Sequence, residues 1–172
     1  RAMNRIERLG LFIDDDHTVS AKDIADRLWI RKHSSRVDAA VIDYLQVLRK
    51  PPVQEWKNMN TIVGEQSKIM KTCARDLDIP IVLLSQLSRD VEKRPDKRPV
   101  MSDLRDSGEI EQDADTIIFL YRDVVYNAKT QYPRGAEVIV RKQRNGQIGT
   151  VPLDWDGPTS RFIDPSQPLL PY

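Results

Sequence analysis

Three consecutive stretches restrict what this chain can fold into more than anything else in it. The run AAVIDYLQVL, residues 39–48, is aliphatic up to a carboxylate and predicts a strand over about 39–47. Residues 55–77 then place Met59, Ile62, Val63, Ile69, Met70, Cys73, Ala74 and Leu77 at three- and four-residue steps, the spacing of one helix face. Ile79-Pro80-Ile81-Val82-Leu83-Leu84 follows, continuously apolar and too short for a helix, so it reads as a buried strand. Strand, helix and buried strand make a βαβ unit. Its crossover should be right-handed and its strands parallel.

The flanking sequence fits around that unit. Leu9–Asp14 reads as a short strand. Ser20 and Asp23 form a capping-box pair before a helix with Ile24, Ala25, Leu28 and Trp29 on one face. Residues 88–101, SRDVEKRPDKRPVM, read as a mobile loop, followed by a short helix near Ser107–Gln112 and a buried strand, Thr116–Tyr121. Glu137–Arg144 and Gln147–Leu153 flank Asn145-Gly146, a signal for a tight hairpin turn. The expected fold class is α/β: a largely parallel sheet flanked by helices, with a C-terminal antiparallel hairpin. Residues 1–163 form the domain and 164–172 a proline-rich, poorly ordered tail.

Composition narrows the function classes. With 27 basic and 26 acidic residues the net charge is +1, so any nucleic-acid contact must come from local clusters. One cysteine, Cys73, excludes an internal disulfide, fits a reducing cytoplasm and reads as a buried structural thiol. Two histidines and that cysteine leave no zinc-ligand spacing. No apolar run approaches 18 residues, so no membrane partner is expected. The first residue is Arg, so the chain is expected to be a piece of a longer one.

Four polar features stand out. Asp43 leaves the first strand and Gln86 follows the second, at the carboxyl ends where parallel sheets bind ligands. Asp43 could hold Mg²⁺ through water, and Gln86 could sense a γ-phosphate or orient a water; singly, each reads better as a strand-terminal polar residue, and only the two on adjacent parallel strands bring the functional reading level. Lys142 and Arg144, two apart on a strand, share a face and could grip phosphate oxygens, but on local pattern alone they read rather as the solvated side of a surface hairpin. In SDLRDSGEIEQDAD, residues 102–115, a Ser-Gly turn before a helix could bind an anion beside Arg105. Four acidic neighbours argue instead for an ordinary helix cap. No G-x-x-x-x-G-K-[ST] phosphate loop occurs in the sequence.

Taken together, VIDYLQVL, IPIVLLSQLSRDVEKRPDKRPVMSDLRDSGEIEQDADTIIFLYRDVVYN and AEVIVRKQRNGQIGTVPL resemble the motor domain of the DnaB-type hexameric replicative DNA helicases, in order from about residue 1 to 162. The resemblance implies a RecA-like, P-loop NTPase core from Walker B onward, and ATP with Mg²⁺ as cofactors. It also implies a homohexameric ring moving 5′ to 3′ along single-stranded DNA in the cytoplasm. Asp43 matches the Walker B aspartate that positions Mg²⁺ through water, and Gln86 the polar residue at the γ-phosphate. Lys142 and Arg144 match the basic pair that reaches a neighbouring subunit's ATP. Arg105, Asp106 and Gly108 match the loop that follows the DNA backbone. In that family the phosphate loop precedes the stretch resembled by RAMNRIERLGLFIDD, so this chain alone should be inactive. Loader and primase are expected partners through parts not present here. The alternatives are a RecA-like recombinase ATPase, and a non-catalytic ring-assembly or DNA-binding module.

Overall fold

The protein is described from a computed structural model over residues 10–49, 59–104 and 108–165. Helix α1, Ala21–Ser34, starts at the expected capping box: Asp23 N donates to Ser20 Oγ (3.2 Å) and Ser20 N to Asp23 Oδ2 (2.8 Å). Ile24, Ala25 and Leu28 pack inward, whereas Trp29 does not join them and is exposed. The strand expected over 9–14 does not form in its described part, residues 10–14. Leu11, Phe12 and Ile13 are exposed there without a paired strand, and Arg27 instead ties down Asp14 and Asp16 (2.7 and 2.8 Å).

The βαβ unit is present. Strand β1, Ala40–Ile42, helix α2, Met59–Leu77, and strand β2, Ile81–Leu83, follow in order, and the strands pair in parallel from Ala40 with Ile81 to Ile42 with Leu83. β1 is shorter than the apolar run because the chain turns at Leu45–Val47, burying Leu45 completely. On α2, Ile62, Val63, Met70, Cys73 and Leu77 are buried at the spacing read from the sequence. Ile42, Leu45, Val63 and Met70 form one core with Val19 and Ala21 of the α1 side. Cys73 is buried with Val37, Leu77 and Ile79, and that burial pushes its thiol pKa up.

Residues 88–101 are ordered by their charges. Two 3₁₀ turns, Arg89–Lys93 and Met101–Asp103, frame Arg94, which donates to both oxygens of buried Asp103 (2.6 and 2.7 Å). Arg98 forks onto buried Glu137 (2.7 and 2.9 Å). The expectation of a mobile loop fails because two arginines of the charged run find buried carboxylates.

Helix α3, Gly108–Asp113, leans on α2 where Gly64 lacks a side chain; a Cβ there would lie 2.9 Å from Glu109 Cβ. Strands β3 (Thr116–Tyr121), β4 (Gly135–Gln143), β5 (Gly149–Asp156) and β6 (Arg161–Ile163) form an antiparallel sheet in that order. The hairpin is wider than Asn145-Gly146 suggested: the last β4–β5 pair is Val140 with Gly149, and no glycine has positive φ among the described residues. Past a bulge at Ile117/Ile118, Lys142 and Gln143 pair with β3 instead.

The fold is mixed α/β, with a two-stranded parallel part and a larger antiparallel part. Each sheet packs on one face. Ile117, Phe119, Tyr121 and Ile139 form the second core with Leu104. On the opposite faces Val41 (69 % exposed), its partner Val82, Ile118 and Leu120 (57 % exposed) are open. The sequence read β2 and β3 as buried strands, and each of them is open along one face. Residues 166–172 of the tail lie outside the described residues.

Candidate nucleotide site

The parallel pair brings Asp43 and Gln86 to the same end. Asp43 is the first residue past β1, and Gln86 stands three beyond the Leu83 that pairs with Ile42. A residue that the sequence reading overlooked joins them. Gln46 Nε2 donates to Ser85 Oγ (2.9 Å), and Gln46 Oε1 accepts from Gln86 N (3.1 Å). Leu45 N also donates to Leu84 O (2.9 Å). One amide side chain therefore fixes the backbone that presents Gln86, relative to the turn that follows Asp43. Its signal was a lone polar residue inside YLQVL.

Asp43 and Gln86 are not buried. Among the described residues no group of three His, Cys, Asp or Glu side chains is arranged to hold a metal. The one exposed carboxylate that Asp43 offers just past β1 fits Mg²⁺, which keeps most of its water and takes one or two carboxylates plus substrate phosphates.

Lys142 and Arg144 form a second set, on different elements. Both turn toward the carboxyl end of α3. Lys142 Nζ donates to Glu111 O and to Gln112 O (3.3 Å), and Arg144 Nη2 to Gln112 O (3.0 Å). Arg144 Nη1 also lies 3.1 Å from Asp115 Oδ1, and Lys71 of α2 hydrogen-bonds the same carboxylate. That bond from Lys71 holds the Asp115 carboxyl below its usual range. The shared face read from the two-residue spacing is present, but it is neither idle nor merely solvated: the pair caps a helix. The sequence held the clue. α3 carries Glu109 and Glu111 in its first turn and no basic residue in its last, so its final carbonyls are open to cations from other elements.

Of the expected DNA loop, Gly108 is the first residue of α3 and is exposed, while Arg105 and Asp106 lie outside the described residues. A cleft of about 560 Å³ between α1 and α2, lined by Ala25, Trp29, Ile69 and Cys73, shares no residue with either polar set. Among the described residues no helix is long and apolar enough to cross a membrane.

The chain as a whole is similar to known proteins. The replicative DNA helicase DnaB of Geobacillus stearothermophilus is 42% identical over 163 residues, covering 95% of this chain and 36% of that protein. That of Haemophilus influenzae is 44% identical over 157 residues, covering 91% of this chain and 33% of that protein. The chain thus spans about a third of the length of these relatives. Among solved structures, one described as an ATPase domain superposes with a TM-score of 0.88 at 38% identity, covering 96% of this chain and 58% of that one. A DnaB-like replicative helicase, described with its interactions with primase, gives the same score and identity over 40% of its chain. The RecA-like fold expected from the resemblance is therefore the fold observed. A family model for the DnaB-like helicase C-terminal domain matches residues 1–164, and the chain belongs to that family.

Proposed function

We propose that this chain is the later part of the motor of an ATP-driven replicative DNA helicase. In this reading the whole protein works as a homohexameric ring moving 5′ to 3′ on single-stranded DNA in the cytoplasm. The observation that carries it is the joint placement of Asp43 and Gln86, locked by Gln46, at the carboxyl end of a parallel pair in a chain of this family.

Mg²⁺, when bound with ATP, neutralises charge developing on the phosphates. Asp43 holds it through water. Gln86 faces the terminal phosphate, and its backbone, tied through Gln46 to the β1 turn, passes the presence of that phosphate on to the strand ends. Lys142 and Arg144 reach the nucleotide of a neighbouring subunit, where the planar guanidinium of Arg144 suits phosphate oxygens. Arg105, Asp106 and Gly108 follow the DNA backbone. Primase and a loader are partners of the whole protein, primase being named with one solved relative.

The open faces at Val41, Val82, Ile118 and Leu120 support a further layer over both sheets in the full-length protein, whose relatives are about three times as long. The test is ATP hydrolysis and strand unwinding by the full-length protein and its Arg144→Ala variant. Loss of such a finger costs on the order of 10³-fold in rate with nucleotide binding retained. Normal turnover in that variant would remove the trans-acting role.

A further inference from the structure

Arg144 can reach a phosphate on another subunit only by leaving the partners it already has. Those partners are specific. Its Nη2 sits on Gln112 O (3.0 Å), its Nη1 lies 3.1 Å from Asp115 Oδ1, and its backbone N donates to Asp115 O (3.0 Å). Lys142, beside it, occupies Glu111 O and Gln112 O. Asp115 is the hub, one carboxylate shared by Lys71 of α2 and Arg144 just past β4, immediately after the helix end that both Lys142 and Arg144 cap.

A carboxylate in that place competes with a phosphate for one guanidinium. The phosphate carries more charge and more acceptor oxygens, but is present only when the neighbouring subunit is loaded. Without it, Asp115 and the α3 carbonyls keep Arg144. When Arg144 departs, the carboxyl end of α3 loses its cap, and α3 begins at Gly108, at the expected DNA loop.

We propose that Asp115 is a positioning residue that stows Arg144 on the end of α3, so that engagement of a neighbour's phosphate and capping of α3 exclude each other. This rests on the reading that Arg144 acts in trans. Asp115 itself touches no substrate.

The experiment uses full-length rings and measures kcat with and without saturating single-stranded DNA, together with KM for ATP. Asp115→Asn keeps the shape and removes the charge. It should raise DNA-free kcat by roughly two- to fivefold, the shift in a two-state balance that an exposed ion pair can hold. The DNA-stimulated rate and KM should stay the same, so the stimulation ratio falls. Asp115→Glu should keep the wild-type ratio. Lys71→Met leaves Asp115 to Arg144 alone and should move the ratio the other way, which keeps the test decisive if Asp115→Asn fails to assemble. An unchanged ratio in both Asp115→Asn and Lys71→Met, an equal fall in both rates, or an Asp115→Glu that behaves like Asp115→Asn would overturn the proposal. If Arg144→Ala keeps normal turnover, the trans reading itself has failed. If Arg144→Ala is dead and the ratio still does not move, only the role of Asp115 has.

Discussion

Asp103 organises the charged stretch after β2, and its removal gives a quantitative test of that packing. Its side chain is 2 % exposed and accepts three hydrogen bonds: from Arg94 Nη1 (2.6 Å), Arg94 Nη2 (2.7 Å) and Val100 N (2.8 Å). The bonds from Arg94 hold the Asp103 carboxyl below its usual range, and the same bonds raise Arg94. Breaking a buried pair from one side costs about 3–5 kcal/mol. Here Arg94 keeps a third of its side chain in water and still donates to Arg98 O (3.0 Å), so Asp103→Ala belongs at the lower end, about 3 kcal/mol. With a urea dependence of about 2 kcal/mol per molar, the unfolding midpoint of the 172-residue chain should fall by roughly 1.5 M. A depressed carboxyl pKa gives stability that is present above the unfolded value, about 4, and is lost as pH falls through the lower folded value. The gap between wild type and variant should therefore be full at pH 7 and shrink below about pH 4. A midpoint loss under about 0.5 M, or a gap that persists in acid, would refute the reasoning.

Two further outcomes follow from burial. Glu137→Ala leaves the Arg98 fork without its buried carboxylate and should cost about 3 kcal/mol in the same urea assay, while Glu137→Gln, which still accepts one bond, should cost less. Leu120→Lys should change the stability of this chain by no more than about 0.5 kcal/mol, because Leu120 is exposed in it. In the full-length protein the same change should cost at least about 2 kcal/mol, since the proposed covering layer would bury the charge; equal effects in both would contradict that layer.

The βαβ unit and the helix before it were legible because their signals are local: the α2 spacing, the length of IPIVLL and the Ser20–Asp23 box at α1 each specify one element alone. The 10–14 stretch misled because an apolar run says nothing about whether a strand exists to pair with it. Residues 88–101 misled for the opposite reason. Their charges look solvated until Asp103 and Glu137, the latter 39 residues beyond Arg98, are folded against them. The strand-end positions of Asp43 and Gln86 were legible from the apolar runs before them. Gln46 was not, since its value lies in a contact across 39 and 40 residues of sequence. The same holds for Lys142 and Arg144: the spacing placed them on one face, while only the fold shows that the face is filled by the end of α3.

On the reading proposed above, Arg144 serves a nucleotide held by a different copy of the chain. A structure of the full-length ring with ADP and an aluminium fluoride mimic of the transferring phosphoryl group tests it most directly. Arg144 should then lie within hydrogen-bond distance of the mimic bound by the adjacent subunit, with Gln112 O and Asp115 released at that interface. Arg144 still resting on Gln112 O and Asp115 beside every loaded neighbour would contradict it.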